Sequence, residues 1–198
     1  MDAAPLFLLT SLVLVGSPGP NTLSLASFGA AFGARQGLPY MLGLNLGMVG
    51  VIALVASGLS AIVLAFPGVA PVVTLAATAY LLYLAYRIAT APPLGATSQA
   101  RGPAPRWFAG VALSLTNPKA YIAVAAVVSR YSLMPDNEIA DQFVKGALLL
   151  AMIAVVNVIW LAAGSMLGRS VANPTIGRFV NIGFAGLLAL SVAIAAFR

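Results

Sequence analysis

The chain has 198 residues, 61% of them hydrophobic and only 7% charged, at a mean hydropathy of +1.02. A water-soluble domain carries about a quarter charged residues, so this composition excludes a surface built for water and makes the bilayer the solvent. The net charge of +6 comes from ten Lys/Arg and four Asp/Glu scattered between apolar runs, which fits the positive-inside bias of membrane proteins and not a nucleic-acid face.

Taken in chain order, six runs reach the roughly 20 apolar residues that a spanning helix needs. The start, MDAAPLFLLTSLVLVG, has an acid where a signal peptide has its basic region, and the apolar run continues past any cleavage point. It therefore reads as a first membrane helix. That span is roughly Pro5–Phe32, broken at Pro18–Pro20; the second is roughly Tyr40–Ala65 and the third Val69–Ala89. A linker over 92–104 precedes a fourth span, roughly Trp107–Val128, which is interrupted at Asn117-Pro118. The fifth is roughly Gln142–Leu167 and the sixth Ile176–Phe197.

The first and fourth spans carry proline breaks at similar depth, with Pro20 and Pro118 lying 98 positions apart, about half the chain. The third and sixth spans also echo each other, AYLLYL from Ala79 against AGLLAL from Ala185. The expected fold is thus an all-α integral membrane protein. It is one transporter domain over 1–198, with six transmembrane helices as a 3+3 inverted repeat and halves of roughly 1–92 and 104–198. Three spans per half force the halves to be inverted, and paired broken helices in inverted halves are the best sequence pointer to a transporter binding site. With the N-terminus outside, the inner loops and their flanks hold Arg35, Arg87, Arg101, Arg106, Arg169 and Arg178. The outer side holds Arg130, Lys145 and Arg198, together with Asp2, Asp136, Glu138 and Asp141. Six basic residues against three predict an N-out, C-out protein of the inner membrane.

Opening a helix in hydrocarbon bares carbonyls and N–H groups, each costing several kcal/mol against lipid. The breaks must therefore face protein or a water-filled cavity, where the bared groups can hold a solute. The half-helix starting near Asn21 would aim N–H groups and a positive dipole end at an anionic group. A single proline would read as a plain kink; Pro18-Gly19-Pro20 in one half and Asn117-Pro118 in the other favour a site. Lys119 is expected to be the only charge deep in a span, about 16 Å in by helical rise, where a charge is a functional candidate by default. Its natural partners are a substrate carboxylate or the carbonyls freed by Pro118. Asn21, Asn45, Asn117 and Asn157 could hydrogen-bond a zwitterion or simply a neighbouring helix. The glycine rows Gly29/Gly33/Gly37 and Gly43/Gly47 read as close-packing faces. The chain has no Cys, which excludes disulfides and thiol chemistry, and no His, which removes the commonest metal ligand. With no catalytic carboxylate pair or nucleophile set either, no enzyme, metal site or cofactor is expected.

These elements together resemble the LysE/RhtB family of bacterial amino-acid exporters (lysine exporter / homoserine-threonine efflux translocator) over essentially the whole chain. The resemblance is carried by Pro18-Gly19-Pro20 and the glycines after it, Ala79–Arg87 (AYLLYLAYR), Gly110, Asn117-Pro118-Lys119-Ala120, Trp160 and the glycine-rich sixth span. Residues 129–141, SRYSLMPDNEIAD, depart from the aromatic-rich continuation of the family. The resemblance implies efflux of amino acids or derivatives, driven by the proton gradient or the membrane potential, by a protein able to form a homodimer. With every acid read as outside the hydrocarbon, neutral, hydrophobic or hydroxylated amino acids are the expected substrates, exported by alternating access, as in an antiporter. The expected substrate-binding residues are Pro18, Gly19, Pro20, Asn21, Asn45, Asn117, Pro118 and Lys119. A non-alternating pore for small solutes and a non-transporting membrane scaffold are the rival readings, and lipid is the other expected partner.

Overall fold

The computed structural model describes residues 3–58, 106–170 and 173–196, with scattered positions between 72 and 90. The predicted linker and most of the third span, with its echo from Ala79, lie outside the described residues. Seven continuous helices are described: α1 (Ala3–Gly16), α2 (Pro20–Phe32), α3 (Ala34–Ala56), α4 (Trp107–Thr116), α5 (Pro118–Arg130), α6 (Glu138–Ser170) and α7 (Pro174–Ala196). No strand occurs among the described residues.

Both predicted breaks are real. The axes of α1 and α2 meet at 55°, and those of α4 and α5 at 62°. The cause is local, because Pro20 and Pro118 sit at the first positions of α2 and α5 and cannot donate to the preceding turn. By length and composition α3 and α6 can each cross a bilayer alone, and the two bent pairs, counted as one span apiece, bring the total to four among the described residues. In α7 the apolar stretch Thr175–Leu190 is shorter.

Element ends differ from the sequence reading for stated reasons. α3 starts at Ala34 rather than Tyr40, because Gly33 takes φ +80° and reverses the chain in a single residue. Gly33 therefore belongs to the α2–α3 turn and not to a packing row. The same helix stops at Ala56, short of Ala65, where Gly58 at φ +69° ends it. α6 begins at Glu138, before Gln142, because the Asn137 side chain accepts the Ala140 amide at 3.0 Å. Asn173 does the same for Thr175 at 2.9 Å, with Pro174 at the first turn of α7.

The core divides into two clusters. One holds Leu25, Phe28, Tyr40, Leu44, Leu113 and Leu161, joined by Ala85, Ile88, Ala185 and Leu188. The other holds Phe7, Met48, Val51, Val124, Val127, Leu149 and Ile153. Outside them large apolar side chains face outward, among them Leu9, Val13, Leu42, Ile122, Phe143 and Phe179. A soluble monomer rarely exposes such patches; in hydrocarbon they are the solvent-facing side.

Glycines set the helix approach. A Cβ on Gly29 would stand 2.3 Å from the Leu161 carbonyl oxygen, and one on Gly164 only 1.9 Å from that of Ala26, so α2 and α6 meet backbone to backbone. Gly43 and Gly110 do the same for α3 and α4, where added Cβ atoms would stand 1.8 Å from the Trp107 carbonyl oxygen and 2.3 Å from that of Tyr40. Each broken helix thus packs on the long helix of the other half.

Candidate functional site

The first break leaves the last carbonyls of α1, and those of the two residues after it, without helical partners. The other half of the chain supplies donors to three of them. Trp160 in α6 donates its indole Nε1–H to the Gly16 carbonyl at 3.3 Å. Lys119 in α5 donates to the Ser17 carbonyl (2.9 Å), the Ser17 hydroxyl (2.8 Å) and the Pro18 carbonyl (2.9 Å). An ammonium has three donors, and all three are engaged. The Lys119 stem lies where Gly19 has no side chain, since a Cβ on Gly19 would stand 2.8 Å from both its Cδ and its Nζ.

The second break satisfies itself more fully. The Asn117 side chain accepts the Lys119 amide at 3.1 Å, and its own carbonyl accepts that of Ala120 at 3.0 Å. Tyr121 returns its hydroxyl to the Leu115 carbonyl at 3.0 Å. In α2, by contrast, Leu23 bonds back to Gly19 at 2.8 Å and Pro20 has no N–H. That leaves the Asn21 and Thr22 amides at the open, positive end of the half-helix.

A directed chain of amides joins the two breaks. Asn117 Nδ2 donates to Asn21 Oδ1 at 2.9 Å, Asn21 Nδ2 to Ser114 Oγ at 3.1 Å, and Ser114 Oγ to the Leu44 carbonyl at 2.9 Å. Beside it, Asn157 Nδ2 donates to Asn45 Oδ1 at 2.6 Å. Asn21, Asn117 and Asn157 border a cavity of about 50 Å³, whose polar lining also includes Ser17, Thr22 and Lys119. That is several times the roughly 10–15 Å³ that admits one water.

Of the residues picked from sequence, Gly19, Pro20, Asn21, Asn117 and Lys119 line the cavity. Asn45 lies one side chain behind it through Asn157, Pro118 opens α5, and Pro18 is exposed with its carbonyl held by Lys119. The structure adds Ser17, Thr22 and Met48 to the lining and Ser114 to the amide chain behind it. Ser114 stands one turn before Asn117, a spacing that could have drawn attention to it; only packing brings Met48 to Asn21.

Lys119, half-buried, is not the only cation drawn into the protein. Lys145 and Asp141 in α6 are both buried and form an ion pair at 2.6 Å, one turn apart. Asp141 also accepts the Leu133 and Met134 amides at 2.5 and 2.8 Å, and Lys145 donates to the Val128 and Tyr131 carbonyls at 2.8 and 3.0 Å. Asp141, read from sequence as lying at the outer edge, sits in the first turn of α6 beneath the α5–α6 turn, and there it is buried. Its carboxylate is fully engaged there and does not line the cavity. Lys119 has no carboxylate within ion-pair distance among the described residues.

Two bilayer-length helices, each opened at a proline around a shared polar cavity, are the construction of a broken-helix membrane transporter. The chain belongs to the LysE type translocator family, whose family model matches residues 12–198. It is a multi-pass membrane transporter and not an enzyme. It is 31% identical over 180 residues to the cysteine/O-acetylserine efflux protein of Escherichia coli (strain K12), a match spanning 90% of this chain and 89% of that protein. The protein of the same name from Salmonella typhimurium (strain LT2) is 28% identical over 179 residues, with the same coverage. No solved structure matches the chain.

Proposed function

We propose that the protein exports small, uncharged-side-chain amino acids or their O-acyl derivatives across the inner membrane. Export is secondary-active, uses the proton gradient or the membrane potential, and proceeds by alternating access. The observation that carries this reading is the half-buried Lys119 ammonium, which borders the cavity with only neutral oxygens around it. A charge there costs a few kcal/mol, and a carboxylate offsets that cost better than carbonyls do. The Asn21 and Thr22 amides, at the positive end of α2, favour the same anionic group. Asn157 has its amide nitrogen committed to Asn45, which leaves its oxygen as an acceptor for the substrate ammonium. Efflux of cysteine and O-acetylserine by the named relatives supports the same substrate class.

All three donors of the Lys119 ammonium are engaged across the first break, so loading requires the halves to part. Parting breaks the Lys119 bonds to Ser17 and Pro18, and the substrate carboxylate replaces them. The test is counterflow in proteoliposomes loaded with unlabelled cysteine under reducing conditions. Wild type should accumulate labelled cysteine with saturation, while Lys119→Ala, inserted at the same level, should lose at least about tenfold in rate, the equivalent of 1.4 kcal/mol. Unchanged counterflow in Lys119→Ala would remove the carboxylate clamp, and a flux linear in concentration would indicate a pore.

A further inference from the structure

Part of the cavity lining, one turn along α5 from Lys119 and one turn along α6 from Asn157, is a different surface. Met48 of α3, Ala123 and Val124 of α5, and Ile153 of α6 line it. The same apolar cluster continues beyond them into Phe7 and Val127, which are almost fully buried. Resting on the function proposed above, we infer that this wall receives the substrate side chain, and that Ala123 and Ile153 set the length it accepts.

The geometry assigns the two ends separately. Carboxylate and ammonium are taken by the polar side, where Lys119, the α2 amides and Asn157 converge. The side chain is left the apolar side, whose atoms are aliphatic carbons and the Met48 sulfur. The Asn21 amide already lies 3.7 Å from that sulfur, so the polar and apolar sides abut at Met48. No acid stands on the wall to meet a cationic side chain. Asp141 is taken by Lys145, while Asp136 and Glu138 are exposed at the start of α6 and in the turn before it. A lysine side chain would therefore bury its charge against hydrocarbon, which is unfavourable without a partner. Length is limited in a graded way, because each methylene gained or lost in an apolar pocket changes discrimination about tenfold or more.

Cysteine and O-acetylserine make a suitable pair of probes, since they share the zwitterion and differ in side-chain length. The measurement is the ratio of O-acetylserine to cysteine counterflow in proteoliposomes. Ile153→Ala, which only removes atoms, should raise that ratio about tenfold; Ala123→Leu, which adds them, should lower it by a similar factor. Lysine should not exchange in wild type or in either variant. Should Ala123→Leu fail to reach the membrane, Ile153→Ala alone decides the matter. If wild type exchanges no amino acid, it is the transport reading that fails. If wild type exchanges both probes but the Ile153→Ala ratio stays within about twofold of it, or lysine exchanges as fast as cysteine, the assignment of the wall is overturned.

Discussion

Lys119 and Lys145 do the same local task at two places. Each ammonium satisfies carbonyls left open where a half-helix ends, Lys119 beyond α1 and Lys145 at the end of α5. What separates them is Asp141, which neutralises Lys145 and leaves Lys119 as the cation that an incoming anion can meet. Asp141→Ala should therefore lower stability by about 3–5 kcal/mol, the usual effect of leaving one buried charge unpaired. It should spare the counterflow rate per folded molecule, and thermal unfolding in detergent beside transport would separate the two effects. Gly19→Ala should do the reverse. Its Cβ would meet the flexible end of Lys119, which can swing away, so stability changes little. Counterflow should fall by about tenfold or more because the ammonium is moved from its place. Lys119 is legible in the sequence because its depth in a span can be counted from Phe108, near the start of the fourth run. The burial of Lys145 is not, because an apolar run starting at Gln142 leaves Asp141 outside it. The four-residue spacing of Asp141 and Lys145 was the available signal.

At the scale of the helices, proline and glycine do different work. The prolines state where α1–α2 and α4–α5 break, and both breaks could be read directly from residue type. The glycines could be read only as a class. Gly29, Gly43 and Gly47 give close approach, as expected, whereas Gly33 reverses the chain. The difference lies in backbone angles and in which helix arrives opposite, neither of which one strand of sequence states. The donors to the first break were equally hidden, since Trp160 lies 144 positions from the carbonyl it serves. Gly164→Leu should be severely destabilising, beyond the usual 1–3 kcal/mol of overpacking, because its Cβ would stand 1.9 Å from a backbone oxygen that cannot swing aside. Gly183→Leu in α7, where an added Cβ meets nothing within 4 Å, should leave the unfolding temperature nearly unchanged. Comparable losses from the two would show that the α2–α6 contact does not limit stability. A scaffold that dimerised through its glycine rows loses its footing here, because Gly43 and Gly47 are already used between α3 and α4 within one chain.

For the whole molecule the open matters are sidedness and alternation, and the composition makes both measurable. The chain has no cysteine, so each introduced one is the only reporter. Arg35 and Arg169 belong to one end of the bundle, tied by the Ala34 amide to Ser165 Oγ at 3.2 Å, and both are exposed. Asp136 lies in the α5–α6 turn, the turn that Thr10 of α1 holds through Tyr131 at 2.9 Å. Under the proposed N-out arrangement, a membrane-impermeant maleimide added to intact spheroplasts should label Asp136→Cys and spare Arg35→Cys, and inverted vesicles should reverse the pattern. The opposite pattern would invert the topology and turn the basic residues outward, against the positive-inside bias. Alternation needs a cysteine in the cavity, and Ala123→Cys supplies it from the apolar wall. In a carrier that rocks one half against the other, substrate or an imposed gradient biases which side is open. Labelling of Ala123→Cys from one face should then rise as labelling from the other falls. A pore gives equal access from both faces at once, whatever gradient is imposed. The reciprocal change is thus the observation that a static channel cannot produce, and it tests the inverted halves as a mechanism rather than as a resemblance between two proline breaks.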